Sequence, residues 1–211
     1  MALTKKAARF FFEVLRENQD LPGLKALVRR MRPRDWSSLS VLADTSELSP
    51  IFYLRLSALD LEAIDPALRS SLKEAYILNL GRTILREKEL SKIVTALNAA
   101  GIPAMPLKGP VFSVLLFDDI ASRFTFYDLD VLVEHARLKE AEKTLKTIGF
   151  AIEMSSEEES FRRRNYFELT WVTQRESLGR LSLDLHWRLS NDVPDENIAN
   201  EVWSGAKSIT V

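Results

Sequence analysis

The sequence predicts an α+β protein, in which a helical N-terminal region precedes a mixed β-sheet flanked by helices. Apolar residues recur at helical spacing through almost all of residues 4–100. From Ile102 onwards the apolar runs become short and alternate with polar residues, or stand between Pro and Gly. We therefore expect a helical domain over 1–100 and an α/β domain over 101–211.

Composition and charge are those of an ordinary globular protein. The 211 residues are 46% hydrophobic and 28% charged, with a formal net charge of -1, so there is no global case for a nucleic-acid or membrane partner. The lack of cysteine excludes disulfides and thiolate metal sites and fits a reducing cytoplasm. Glu13 and Arg16 interrupt the N-terminal apolar patch, which indicates an amphipathic helix and not a signal peptide.

The predicted elements of the second domain follow from local patterns. Pro103 and Pro106 cannot donate to a β-ladder, so the first strand is expected near a sheet edge. Gly149 ends the second helix of this domain, and residues 155–159 and 174–180 are expected to be loops. The strands are expected at 102–107, 126–133, 150–154, 166–173 and 181–189, and the helices at 111–117 and 136–148.

Asp128 and Asp130 are the first candidate site residues. They lie two positions apart in a predicted strand, so their side chains share one face about 7 Å apart. Acids next to an apolar run are costly unless they are solvated or hold a cation, and Mg²⁺ prefers carboxylate ligands. Taken alone, the pair fits a strand end with two solvent-facing acids better than a metal site.

Lys108 and Gly109 form the second candidate, at a turn between a predicted strand and a helix. Glycine lets the backbone approach a phosphate, the helix N-terminus offers N–H groups, and the lysine adds a positive charge. Arg123, five positions before Asp128, can also reach a triphosphate. Taken alone, the turn fits a merely exposed lysine better, and a solvated or structural role explains Arg123 equally well.

Two further patterns carry polar residues that need an explanation. Asp184 stands in an otherwise apolar strand and His186 shares its face, so a metal, a lysine or the histidine can serve as its partner. A plain alternating strand with both residues on the wet face explains them equally well. The run Arg162–Arg164 falls in a region expected to be a polar loop, where it can grip RNA or a polyphosphate, although a solvated face explains it better.

Together these patterns resemble the DNA polymerase β-like nucleotidyltransferase superfamily, and within it a large, poorly characterised bacterial nucleotidyltransferase family. The family motifs are a strand-borne Leu-Lys-Gly, an Arg five positions before an Asp-x-Asp strand, and a late Asp strand that ends in His-Trp. In this chain they correspond to Leu107–Gly109, Arg123 with Asp128–Val133, and Leu183–Trp187. The resemblance covers most of the chain.

The chain departs from the superfamily pattern at the phosphate turn and at its end. Pro110 follows Gly109 where the superfamily usually has Ser or Gly, so one N–H donor is missing. The separation between Gly109 and Asp128 is longer than in the compact superfamily pattern. The segment Ser208–Val211 has the pattern of an unfinished strand, and we expect the α/β domain to be incomplete at its C-terminus.

The resemblance implies transfer of a nucleoside monophosphate from an NTP to a hydroxyl group, with Mg²⁺ or Mn²⁺ as cofactor and release of pyrophosphate. The acceptor can be a small molecule, RNA or a protein, because the fold does not specify it. No membrane partner and a cytoplasmic location are expected. The implied site comprises catalytic and metal-binding acids (Asp128, Asp130, Asp184), phosphate-binding residues (Lys108, Gly109, Arg123) and a residue that supports Asp184 or contacts the acceptor (His186).

Two other functions remain open from the sequence. The first is a catalytically inactive protein of the same fold that binds a nucleotide or a protein partner, which the proline after Gly109 favours. The second is an adaptor built on the N-terminal helices, which an exposed patch at Phe10, Phe11 and Phe12 would favour. We expect these three aromatic residues to pack into the core instead.

Overall fold

The computed structural model describes residues 3–59, 64–116, 119–122, 127–177, 179–190 and 196–206. The chain divides into two compact units, one over Met1–Thr83 with Phe117–Thr125 and one over Ile84–Leu116 with Phe126–Val211. The fold is α+β with a mixed sheet, as the sequence predicts, and the described residues form four of the five expected strands. The division into two domains with a boundary near residue 101 stays a prediction.

The first unit is helical, and its core is aromatic. Helix α1 begins after Thr4, whose hydroxyl accepts a hydrogen bond from the Ala7 N–H at 3.2 Å. Phe10 and Phe11 are buried, as expected, whereas Phe12 is 63% exposed. The helices are α1 Lys5–Leu15, α2 Leu21–Val28, α3 Pro33–Thr45 and α4 Ser49–Ser57, and the long α5 Pro66–Ala99 starts in this unit and continues into the second. Among the described helices, none has the length and apolar run that crossing a bilayer requires.

The second unit contains the sheet, whose strands are ordered β1-β2-β4-β3. Strands β1 and β2 are antiparallel, β2 and β4 are parallel, and β3 and β4 form an antiparallel hairpin. The proline-containing β1 lies at the edge, which confirms the prediction. The bounds are β1 Ala104–Leu107, β2 Asp128–Val133, β3 Glu168–Arg175 and β4 Gly179–His186, with helices α6 Gly109–Leu116, α7 Leu138–Thr147, α8 Ser156–Asn165 and α9 Glu196–Gly205.

One face of this sheet is apolar and forms the core of the second unit. Alternate residues of β2, β3 and β4 are buried on that face, together with one stripe of α7 and the end of α5. Period-two alternation in the strands and helical spacing in α7 produce this core directly from the sequence. The fully buried members from the sheet include Leu129, Val131, Leu169, Trp171, Leu183 and Leu185.

Two local predictions between α7 and β3 are wrong. The expected strand 150–154 is reduced to a single bridge between Ala151 and Val172. The expected loop 155–159 is instead the start of α8, because the Ser155 hydroxyl caps the helix by accepting from the Glu158 N–H at 3.1 Å. Acidic residues in its first turn and basic residues in its last turn favour the helix through its dipole.

The arginine run Arg162–Arg164 lies on helix α8 and not in a loop. Arg162 pairs with Glu158 at 3.2 Å, one helical turn away. Arg163 pairs with Glu159 and with Glu142 of α7. Two of the three guanidinium groups therefore have acidic partners within the protein, as an ion-paired helix surface does.

Candidate active site

Asp130 and Asp184 lie side by side on the polar face of the sheet. The parallel pairing of β2 with β4 places Asp130 opposite Asp184, and Asp128 opposite Ser182. Residues in register on neighbouring strands project to the same face, so all three predicted acids share it. The strand neighbours of Asp130 and Asp184 point the other way and belong to the buried core on the opposite face: Leu129, Val131, Leu183 and Leu185.

Strand β3 extends this polar face. Thr170 is in register with Asp184, and Glu168 is in register with His186. The Thr170 hydroxyl donates a hydrogen bond of 2.7 Å to Asp184 Oδ1. Sequence reasoning missed both Thr170 and Glu168. The signal was the alternation of β3, in which these two polar residues occupy the face opposite to the buried apolar ones.

Asp130 is the most enclosed acid of the site. It is 4% exposed, and its Oδ1 accepts hydrogen bonds from Lys108 Nζ at 2.7 Å and from His186 Nε2 at 2.9 Å. Burial by itself raises the pKa of Asp130, but the hydrogen bonds from His186 and Lys108 outweigh it and hold that pKa below its usual value. Asp130 is therefore a fully compensated carboxylate.

The pKa of Asp184 is shifted in the opposite direction from that of Asp130. Burial raises its pKa, the Thr170 hydrogen bond counteracts this, and the negative charges of Asp128 and Asp130 raise the pKa further. The net result is a pKa above the usual value. A neutral hydroxyl is a weaker partner for a carboxylate than the ammonium and imidazole groups at Asp130, so Asp184 retains uncompensated negative charge.

His186 connects Asp130 to Glu168. Its Nδ1 lies 3.1 Å from Glu168 Oε2, an electrostatic contact and not a hydrogen bond, since this nitrogen is buried without a hydrogen-bond partner. The Phe167 ring stacks on the imidazole at a centroid distance of 5.8 Å. Burial raises the pKa of Glu168, with Asp184 adding to the shift and His186 opposing it. The hydrogen bond of His186 goes to Asp130 and not to Asp184.

Lys108 reaches Asp130 from a left-handed backbone turn. Its φ is 44°, and Gly109 follows at 20°. Because Leu107, the last residue of β1, is in register with Asp130, the next residue emerges beside that carboxylate. Helix α6 begins at Gly109, and its first turn closes when the Phe112 N–H donates to Lys108 O at 3.0 Å. Arg123, the other predicted phosphate ligand, lies outside the described residues.

The donor chemistry of the polar face suits a hard divalent cation. Asp128, Asp130 and Asp184 offer carboxylate oxygens, which Mg²⁺ and Mn²⁺ take, and burial together with the charges of Asp128 and Asp130 raises the pKa of Asp184. Within the described ranges, however, no three His, Asp or Glu side chains are already arranged to hold a metal ion. The three acids fit the cation by chemistry, while Lys108 and His186 occupy Oδ1 of Asp130.

A known sequence family matches most of the chain. The sequence model of the family described as "Uncharacterised nucleotidyltransferase" matches residues 32–211. The chain belongs to this family. A search of curated proteins gave no significant match, and a search of solved structures gave none either.

Membership of the nucleotidyltransferase family confirms the resemblance derived from the motifs. The matched range contains the whole sheet and every predicted site residue, from Lys108 to His186. A nucleotidyltransferase uses a nucleotide donor, so the family also indicates the general class of reaction. The acceptor, the metal and the role of each side chain are not contained in the family description.

Proposed function

We propose that this protein transfers a nucleoside monophosphate from an NTP to a hydroxyl acceptor, with Mg²⁺ or Mn²⁺ as cofactor and pyrophosphate as the second product. The observation that carries the proposal is the charge imbalance on the polar face of the sheet. Asp184 lies next to Asp130 and near Asp128, and its pKa is raised by burial and by both neighbours. A half-buried carboxylate beside other acids costs stability, and a ligand cation offsets that cost.

The acids hold the cation, and each has a different support. His186 and Lys108 both contact Oδ1 of Asp130, and we assign the second oxygen, Oδ2, to the cation. Asp184 is oriented by Thr170 and lies on the next strand, where it can take the proton of the attacking hydroxyl. A bound Mg²⁺ ion supplies neutralisation of phosphate charge and activation of the attacking oxygen.

Phosphate binding falls to the turn between β1 and α6. Lys108 places a partly exposed ammonium group next to the acids, and the first turn of α6 adds the positive end of a helix. Arg123 is the remaining candidate for the leaving pyrophosphate. Positioning and electrostatic stabilisation then account for most of the expected rate acceleration.

The direct test follows the α-phosphate. The purified chain is incubated with each NTP labelled at the α-phosphate, Mg²⁺ or Mn²⁺, and separate pools of RNA, metabolites and protein. We expect label to move to one pool, pyrophosphate to form in equal amount, and EDTA to stop both. The transfer is lost in Asp128→Asn and Asp184→Asn if these residues hold the cation.

Asp44→Asn is a matched control, since Asp44 is an exposed acid on α3 in the other unit. This variant should transfer label like the unchanged protein. Label transfer that survives in both site variants would contradict the assigned roles. Absence of transfer together with absence of metal-dependent nucleotide binding would contradict the proposed function itself.

One observation favours a second function, a catalytically inactive nucleotide- or protein-binding module. Among the described residues no ready three-ligand metal group exists, and Asp130 is already paired with Lys108 and hydrogen-bonded to His186. Under this alternative, nucleotide binding is expected to be independent of Mg²⁺ and no pyrophosphate forms. Nucleotide binding measured with and without EDTA separates the two functions.

A further inference from the structure

The side chain of Lys108 combines a buried contact with a largely exposed stem. Its Nζ lies 2.7 Å from Asp130 Oδ1, although the side chain is 57% exposed and Asp130 is 4% exposed. A lysine stem has four rotatable bonds and ends in a point charge, so the ammonium can move several ångströms without a change of backbone. His186 also holds Asp130 Oδ1, at 2.9 Å, so the carboxylate stays oriented when the lysine leaves.

The backbone at Lys108 is held in a conformation that residues with a Cβ rarely adopt. Its φ of 44° is left-handed, and such positions persist where the surrounding structure requires them, often at functional sites. The turn places the lysine between two charged environments. On one side is Asp130, and on the other is the first turn of α6, which closes on Lys108 O through the Phe112 N–H.

An ammonium group and a divalent cation compete for the same carboxylate. Both are positive, and Lys108 Nζ lies 2.7 Å from Oδ1 of Asp130, so its charge stands against the carboxylate that would hold the cation. The carboxylates that attract the ammonium are those of Asp130, Glu168 and Asp128. A nucleotide brings phosphate oxygens, which offer the ammonium a second set of strong acceptors.

We propose that Lys108 exchanges partners during nucleotide binding: it neutralises Asp130 in the nucleotide-free protein and moves to a phosphate group when a divalent cation takes its place. This inference rests on the proposed function, and it adds the order in which the metal and the nucleotide bind. The metal binds weakly until phosphate draws the lysine away, so the complete site assembles only with the nucleotide present.

The decisive test is Mn²⁺ affinity without any nucleotide, measured by electron paramagnetic resonance on the full chain. Removal of the competing charge in Lys108→Met should tighten Mn²⁺ binding by about fivefold, the upper range for a partly exposed ion pair. A lysine that serves only as a phosphate ligand predicts no change in this measurement. Equal or weaker Mn²⁺ binding by the variant, or no binding at all, overturns the exchange.

Lys92→Met is the matched control. Lys92 is 56% exposed and pairs with Glu89, which is 8% exposed, so its ion pair resembles that of Lys108 in burial. This change should leave Mn²⁺ affinity unaltered. Lys108→Asn is a second variant for the same measurement, because Asn tolerates a positive φ better than Met, and it should tighten Mn²⁺ binding in the same direction.

The exchange also predicts a reverse effect with inorganic tripolyphosphate in EDTA. Asp130→Asn frees the lysine from its partner, so this variant should bind tripolyphosphate more tightly than the unchanged protein by a similar factor. The gain should vanish in the double variant Asp130→Asn with Lys108→Met. A gain that persists in the double variant, or no gain, counts against the exchange. Neither measurement depends on nucleotidyl transfer, so failure of the proposed function is detected separately by the labelled-phosphate assay.

Discussion

Replacement of Asp184 by Asn should stabilise the metal-free protein, whereas the same replacement at Asp130 should destabilise it. The two residues are register partners on adjacent strands, so the chemical change and the location are nearly identical. Their surroundings, however, shift the pKa values of the two carboxyl groups in opposite directions. Burial and the neighbouring acids raise the pKa of Asp184, whereas hydrogen bonds from His186 and Lys108 overcome burial and lower the pKa of Asp130.

The expected magnitudes follow from the contacts. Asn keeps an acceptor oxygen for Thr170, so Asp184→Asn mainly removes a poorly compensated charge, and we expect a gain of about 1 kcal/mol. For a chain of this length that corresponds to a Tm rise of about 2–4 °C. Loss of one partner of a buried ion pair costs about 3–5 kcal/mol. Because Lys108 is 57% exposed, solvent screening reduces the expected cost of Asp130→Asn to about 2 kcal/mol.

The two effects also depend on pH in opposite ways. Because the pKa of Asp184 is raised, its charge destabilises the fold at pH 7. This cost disappears as pH falls through the raised pKa towards 3.8, the usual value for an aspartate. The gain of Asp184→Asn therefore shrinks in acid. The lowered pKa of Asp130 means that its contribution is complete above 3.8 and is lost only as pH falls through the lower folded value.

Thermal unfolding followed by circular dichroism in EDTA, at pH 7 and at successively lower pH, measures both effects. The reasoning is refuted if Asp184→Asn destabilises the protein as Asp130→Asn does, or if its gain is independent of pH. Addition of Mg²⁺ provides an internal check. The unchanged protein should gain stability from the cation, and Asp184→Asn should gain less, because ligand binding stabilises only the state that binds.

Three further predictions concern the scaffold around the site. Leu183→Ala should cost about 2–5 kcal/mol of unfolding free energy in urea titrations, because it leaves a cavity at a fully buried position of β4. Gly149→Ala should cost about 1 kcal/mol of unfolding free energy in the same assay. The φ of Gly149 is 89°, and a new Cβ would lie 3.6 Å from Arg175 Nη1, which is an ordinary contact distance. The strain of the left-handed backbone therefore causes most of the cost. Ser155→Ala should cost about 1 kcal/mol and increase amide exchange in the first turn of α8, because Glu158 loses its capping partner; unchanged exchange there would contradict the capping role.

The local part of the site could be predicted from sequence, because strand alternation is a local rule. Spacing by two places Asp128 with Asp130, and Asp184 with His186, on common faces without knowledge of the fold. Prolines at 103 and 106 similarly predict that β1 lies at an edge. What alternation leaves undetermined is which strands are neighbours. The contact of Asp130 with Asp184 depends on the parallel pairing of β2 and β4, which no local pattern specifies.

The errors have a common physical origin in the polar segment after α7. Helix α8 lacks a buried stripe, so hydrophobic spacing gives no sign of it. The information was present in another form, since Ser155 three residues before Glu158 is a capping-box pattern. Pairs of Glu and Arg four apart, at 158 and 162 and at 159 and 163, add to the helix signal. Local electrostatics, and not burial, stabilises this helix.

The distribution of charge on the polar face distinguishes a ligand site from a structural cluster. Lys108 and His186 both contact one oxygen of Asp130, so a structural role explains that acid completely. The same account fails for Asp184, because its pKa is raised and the acids beside it add to the shift. A purely structural site would gain stability from a neutral residue there. A positively charged ligand at Asp184, as proposed above, would offset this cost, and the sign of the Asp184→Asn effect with and without Mg²⁺ tests that argument directly.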